Sequence, residues 1–273
     1  MLRRYILFLK KYPLITAAIG IVYLMTCLKV IKTETHFQAF LLRTLFTGAT
    51  IFFLYQISGD KTLTASYNDT WYVIKIGAIF WIMAIPVSSL GFMSNSNAEM
   101  WDNIPLHILT DLLLYLSVGL FEEISFRALI NDAIIYRFRD KKYVFLLCAL
   151  VSSLAFGAAH VVGFDLSTGL AIGQAIGKTL QAGAFGLSLL FLYWKTRNIW
   201  ACGVVHGIYD FILSLSSCFY NSPSKAAYVM EGAKGRAAII IYIVFTAINL
   251  FAFWLIYRKI GKKIDYQKIR EEW

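Results

Sequence analysis

Eight long apolar runs constrain this chain more than any other feature of its sequence. They cover about residues 12–31, 37–58, 71–93, 106–136, 143–162, 169–194, 198–219 and 237–257. Each run is close to the ~20 residues that an α-helix needs to cross a bilayer. Only 15% of the 273 residues are charged, whereas a soluble domain has about 25%. The sequence therefore predicts an all-α polytopic membrane protein of about eight transmembrane helices, with residues 1–273 forming a single transmembrane domain.

The basic residues indicate how these helices are oriented. The formal net charge is +10, an excess that in a soluble protein could indicate a nucleic-acid binder. Here the cations form short clusters between apolar runs, which is typical of cytoplasmic loops beside anionic lipid. With the N-terminus inside, 17 Lys and Arg residues lie on the inner side, 5 on the outer side and 4 within spans. We therefore expect cytoplasmic N- and C-termini, contact with membrane lipid and no nucleic-acid partner.

Two adjacent carboxylates and an arginine interrupt the fourth apolar run. Each charge within a membrane costs roughly 2.5–3.5 kcal/mol on insertion scales, so each needs a partner or a function. On a helix, Glu123 and Arg127 lie one turn apart and can pair, whereas Glu122 points about 100° away from Glu123. Glu122 is then a carboxylate without a local partner, which makes it a candidate general base for activating water.

Two further polar clusters lie in the fifth and seventh runs. Phe156 and His160 share one helix face, as do His206 and Asp210, because residues four apart lie one above the other. A single histidine in a membrane is often only a hydrogen-bonded packing residue. The combination of Glu, His, His and Asp on three different spans predicts one intramembrane site.

The sixth run carries small and polar residues at helical spacing. Glycines recur at every fourth position from Gly169 to Gly177, a spacing that favours close packing against another helix. Gln174, Lys178 and Gln181 share a face that could line a wet cavity. Their spacing alone specifies no function.

Taken together, the motifs resemble the signature of the CAAX protease and bacteriocin-processing family, which includes the type II CAAX prenyl endopeptidases. The three parts, in family order, are Glu122-Glu123-x-x-x-Arg127, Phe156-x-x-x-His160 and His206-x-x-x-Asp210. They lie within about residues 104–219, which would form the catalytic core. The resemblance implies an eight-helix intramembrane endopeptidase that uses a glutamate-activated water and needs no cofactor.

The resemblance also implies a role for each motif residue. Glu122 would be the general base, and His160 would help to hold and polarise the water. His206 and the residue four positions later would stabilise the oxyanion. Glu123, Arg127 and Phe156 would support the site.

Asp210 departs from the prenyl endopeptidases, which typically have Asn at this position. An ionised carboxylate has no proton to donate to an oxyanion. Asp210 is therefore either protonated, or it orients His206 and leaves the donor role to that ring. We favour the second interpretation.

Three alternative functions remain open at the level of sequence. Glu122, His160 and His206 could bind zinc, since three protein ligands and a water make a catalytic site, although the chain lacks HExxH. A bacteriocin self-immunity protein would need no catalysis. Intramembrane Glu, His and Arg also form transport pathways, but we see no inverted repeat. The compact chain resembles the bacterial branch of the family, which favours processing of a leader-type, CAAX-type or other membrane-associated peptide in the cytoplasmic membrane.

Overall fold

The structure is a computed structural model, and it describes residues 2–221 and 229–273. Within these ranges the chain forms α-helices joined by short loops and contains no β-strand. The α-helices are α1 (Leu2–Lys11), α2 (Pro13–Val30), α3 (His36–Ser58), α4 (Tyr67–Asn95), α5 (Ile104–Glu123), α6 (Ile130–Phe138), α7 (Val144–Ala159), α8 (Gly169–Thr196), α9 (Ile199–Leu213), α10 (Gly232–Ile260) and α11 (Tyr266–Glu271). A π-helical segment, Ile124–Leu129, joins α5 to α6.

The described helices include five that are long and apolar enough to cross a membrane. They are α3, α4, the continuous segment Ile104–Phe138, α8, and α10 with the turn that follows it. A sixth candidate is formed by α1 and α2 together, which bend by 106° where Pro13 begins a new helix. The prediction of an all-α polytopic membrane protein is thus confirmed.

The number of eight spans stays a prediction. The predicted fifth and seventh spans correspond to α7 and α9, which have 16 and 15 residues. At 1.5 Å per residue, α7 is about 24 Å long, which is less than the roughly 30 Å of a typical hydrocarbon core. His160 directly follows α7, and His206 lies within α9.

Several loops and the C-terminal segment meet at one end of the helix bundle. Lys61 and Arg197 both contact Glu272, and Arg270 donates a hydrogen bond to the carbonyl oxygen of Lys141. The charge distribution assigned these same segments to one side of the membrane. Lys225, one of the five basic residues assigned to the other side, lies outside the described residues.

A buried ion pair stabilises this end. Arg197 Nη1 lies 3.2 Å from Asp132 Oδ1, and the Tyr193 hydroxyl donates to the same carboxylate at 3.1 Å. Burial alone would lower the pKa of Arg197, but Asp132, Tyr193 and Glu272 outweigh burial and raise that pKa above its ordinary value. Arg197 also ends α8 in the left-handed conformation, with φ 53°, and so connects helix termination to the ion pair.

Glycines allow α5 and α9 to pack in direct backbone contact. Gly119 of α5 lies against Gly203 and Gly207 of α9, where a Cβ atom would overlap the α9 backbone. In return, a Cβ atom on Gly207 would lie 2.6 Å from the carbonyl oxygen of Tyr115. This close approach places the two glutamates that end α5 beside His206 of α9.

The glycines that the sequence singled out in α8 have a different partner. Gly173 and Gly177 lie against Ile239 and Tyr242 of α10. A Cβ atom on Gly169 would meet nothing within 4 Å. Two of the three therefore pack against a helix, but that contact does not form the site.

Candidate active site

The π-helical segment begins directly after Glu122 and Glu123. A π-helical turn contains an extra residue, and such turns are frequent at functional sites. Side chains satisfy two carbonyl groups of this segment: Ser152 donates to the Phe126 oxygen at 2.7 Å, and Asn131 donates to the Arg127 oxygen at 3.1 Å. The sequence predicted an ordinary helix here, and no spacing in the apolar run indicates the π turn.

Glu123 is fully buried and binds two other site residues. Its Oε2 atom lies 3.2 Å from Arg127 Nε, the pairing that the spacing of four predicted. Its Oε1 atom accepts a hydrogen bond from His206 Nδ1 at 2.8 Å, a contact between helices that the sequence did not predict. The carboxylate of Glu123 therefore neutralises Arg127 and orients the ring of His206.

Glu122 and Asp210 flank the other nitrogen of His206. The Nε2 atom lies 3.7 Å from Glu122 Oε2 and 3.4 Å from Asp210 Oδ2. Glu122 Oε2 is buried and has no hydrogen-bond partner among the described residues. The side chains of Glu122 and Asp210 are 17% and 26% exposed, compared with 0% for Glu123. The two carboxylates that flank Nε2 are thus the accessible ones.

Arg127 and Phe156 pack against each other next to the two histidines. The guanidinium carbon of Arg127 lies 3.7 Å from the centre of the Phe156 ring, a cation–π contact in a desolvated setting. The same ring packs edge-on against His160 and His206, with centroid distances of 4.6 Å and 5.7 Å. Gly186 makes room for Arg127, because a Cβ atom there would overlap the guanidinium. Phe156 therefore separates the two histidines.

The backbone fixes the tautomer of His160, which follows the last residue of α7. Its Nδ1 atom lies 2.9 Å from the carbonyl oxygen of Phe156. A carbonyl oxygen only accepts, so Nδ1 carries the hydrogen and Nε2 of the neutral ring is an acceptor. Glu122, Lys178 and His206 all act electrostatically on this ring. The structure thus brings the motif residues of α5, α7 and α9 to one place.

Two cations beside Glu122 were not assigned to the site from the sequence. Lys178 of α8 and Arg43 of α3 both act electrostatically on Glu122. Lys178 is half-buried, and Arg43 lies 5.6 Å from the ring centre of Phe121. Their positions within apolar runs could have indicated that they contribute to the site, because an intramembrane cation needs an anionic or polar partner.

A zinc site would need several of these side chains to converge on one point. In the described part of the chain, no group of three or more His, Cys, Asp or Glu side chains is arranged to hold a metal ion. The zinc alternative required Glu122, His160 and His206 to converge as such a group. We therefore derive no chemical step through a metal.

Fold and site together define a polytopic membrane protein with a buried cluster of carboxylates and histidines. Residues 102–212 match the family model for type II CAAX prenyl endopeptidases of the Rce1-like kind. This match confirms the resemblance to the CAAX protease and bacteriocin-processing family and supports a CAAX-type intramembrane protease acting on a peptide. Searches of curated proteins and of solved structures found no match.

Proposed function

We propose that this protein is an intramembrane endopeptidase that hydrolyses a peptide bond with a water activated by Glu122. One observation supports this assignment above the others. Of two adjacent carboxylates, Glu123 is fully buried, with Oε1 bonded to His206 Nδ1 and Oε2 3.2 Å from Arg127 Nε, whereas Glu122 is 17% exposed and its Oε2 atom lies 3.7 Å from His206 Nε2. A carboxylate that is accessible and not committed to a structural contact is suited to accept a proton from water.

In the attack step, Glu122 takes a proton from water while the water oxygen forms a bond to the carbonyl carbon. The π electrons of the carbonyl move to its oxygen, which becomes the oxyanion. His160 accepts a hydrogen bond from the second O–H of the water at Nε2, the acceptor that its bond to the Phe156 carbonyl leaves available. Two acceptors then orient the water for attack, which lowers the entropic barrier.

His206 stabilises the oxyanion. Glu123 accepts a hydrogen bond from Nδ1, and the carboxylates around Nε2 favour a proton there as well, so the ring acts as an imidazolium with two donors. A preorganised donor at a developing oxyanion gives one of the largest contributions to catalysis. When the tetrahedral intermediate collapses, the C–N bond breaks and Glu122 returns its proton to the leaving amine. No covalent enzyme intermediate forms.

Asp210, Arg127 and Phe156 support these groups. Asp210 lies 3.4 Å from His206 Nε2 and orients the ring together with Glu123, while the ring remains the donor. Arg127 offsets the charge of Glu123, so that Glu123 stays ionised next to His206. Phe156 packs under Arg127 and between the histidines. The mechanism uses no cofactor; one zinc per protein that restores activity after chelation would contradict it.

The substrate we propose is a membrane-associated peptide of the leader or CAAX type, processed at a bacterial cytoplasmic membrane. Cells that express the wild type, Glu122→Gln or the control Glu34→Gln would be compared for secreted and membrane-associated peptides by mass spectrometry. Glu34 is an exposed residue outside the site. We expect cleaved peptides with the wild type and the control, and none of them with Glu122→Gln. The same peptides in all three strains would contradict the proposal.

A further inference from the structure

Lys178 places an ammonium group inside the helix bundle without a close counter-ion. Its Nζ atom donates a hydrogen bond to Gln181 Oε1 at 3.0 Å. Among the described residues no carboxylate lies within 4.0 Å of Nζ. A lysine ammonium has three donors, and the neutral amide of Gln181 takes one of them.

Lys178 lies on the same face of α8 as Phe185, seven residues later, and the ring of Phe185 lies 5.0 Å from the ring of His206. The electrostatic partners of Lys178 are Asp210 on α9 and Glu122 on α5, and it also acts on His160 after α7. These three residues come from helices on different sides of the cluster. Lys178 therefore lies on the face of α8 that packs against the cluster, and neither Asp210 nor Glu122 forms an ion pair with it within 4.0 Å.

The other intramembrane cations have different surroundings. Arg127 is fully buried and paired with Glu123, and Arg43 lies over the ring of Phe121. Lys75 of α4 is exposed on the outside of the bundle. Lys178 thus combines a position beside the reacting groups with donors that a bound molecule can use.

We propose that Lys178 is a subsite that binds a carboxylate of the peptide substrate. A peptide offers such a group at its C-terminus or on an Asp or Glu side chain, and either one complements an ammonium in an apolar setting. Binding there would hold the peptide against α8 while its scissile carbonyl lies between Glu122 and His206. This subsite rests on the proposed function, because it requires a peptide to occupy the site.

The test uses a peptide that the purified, reconstituted wild-type protein cleaves. It is prepared with a free C-terminus, with a C-terminal amide, and with each acidic side chain replaced by its amide. The wild type is compared with Lys178→Met, Lys178→Arg and Lys75→Met, the last being the same substitution at an exposed lysine in another span. The quantity measured is the ratio of kcat/KM between the acidic and the amidated form of each pair.

We expect the wild type to prefer one acidic form by about 10-fold to 100-fold, the range for a hydrogen bond between charged groups. Lys178→Met removes this preference, whereas Lys178→Arg and Lys75→Met retain it. A preference tied to the free C-terminus identifies the terminal carboxylate as the ligand; a preference tied to Asp or Glu identifies the side chain.

Two results would overturn the subsite. One is a wild type that cleaves acidic and amidated forms equally well. The other is a Lys178→Met variant that loses activity equally on both forms, which would show a structural or general electrostatic role. Failure of the proposed function gives a different result, since Glu122→Gln would then cleave as the wild type does.

Discussion

Glu122 and Glu123 are neighbours with the same side chain, and their surroundings give them different tasks. Glu123 is buried between Arg127 and His206 and binds both. Glu122 is partly accessible, and its Oε2 atom lies 3.7 Å from His206 Nε2. The helical spacing of four residues predicted which glutamate contacts Arg127. It did not predict the contact of Glu123 with His206, because spacing within one helix does not define its rotation against another.

Glu123→Gln is expected to destabilise the protein. The substitution leaves the buried guanidinium of Arg127 without its counter-charge, a change that typically costs about 3–5 kcal/mol. Unfolding of the purified protein in detergent measures the effect, with Glu122→Gln as the adjacent control that retains wild-type stability. Equal stability of the two variants would contradict the division of roles.

Asp210→Asn is expected to retain substantial activity. The amide oxygen of Asn accepts a hydrogen bond from His206 as a carboxylate does, and Glu123 still holds the ring from the other side. We expect kcat/KM to fall by no more than roughly tenfold, the effect of weakening one hydrogen bond. Complete loss of cleavage would show that Asp210 itself takes part in the chemistry.

At the scale of the helices, close packing of α5 and α9 brings the proposed catalytic groups Glu122 and His206 together. Gly203 and Gly207 are four residues apart and face Gly119 across the contact. The same spacing occurs in α8, where Gly173 and Gly177 pack on α10 instead. A repeat of small residues indicates that a helix packs closely, but it does not identify the partner helix.

Gly119→Ala is expected to lower both stability and cleavage. The added methyl group overlaps the backbone of α9, and overpacking of this kind typically costs about 1–3 kcal/mol. The helices must separate, which moves Glu122 away from His206. Unfolding and cleavage measurements would be compared with Gly48→Ala.

Gly48 lies within α3, and a Cβ atom there meets nothing within 4 Å. Alanine in the middle of a helix is more favourable than glycine by roughly 0.5–1 kcal/mol, so this control is expected to be neutral or stabilising. If Gly119→Ala behaves in the same way, the α5–α9 contact is not as close as described.

At the scale of the whole molecule, hydropathy predicted the fold class and the approximate places of α2 to α10, whereas α1 and α11 lie outside the apolar runs. It did not predict the π-helical segment, which depends on Ser152 and Asn131 from neighbouring turns and helices satisfying its carbonyl groups. Nor did it predict the shortness of α7 and α9. Apolar residues continue past the ends of these two helices, so a hydropathy window extends beyond the helix.

The two-sided distribution of Lys and Arg gives a prediction for topology. A reporter fused after Trp273 is expected to be cytoplasmic, because the C-terminal segment contacts the loops at Lys61 and Lys141, which belong to the side rich in Lys and Arg. A reporter inserted at Asn97, in the exposed loop after α4, is expected on the opposite side. A reporter found outside the cell after Trp273 would show that the protein has the opposite orientation to the one predicted.

The central claim is that Glu122 activates water for peptide hydrolysis. The most direct measurement is the initial cleavage rate of the purified wild type and of Glu122→Gln, both reconstituted in the same lipid. The substrate is a peptide that cells cleave with the wild type but not with Glu122→Gln. We expect cleavage by the wild type and a loss of at least about 100-fold with Glu122→Gln, as removal of a general base requires. A folded Glu122→Gln protein that cleaves at the wild-type rate would contradict the account.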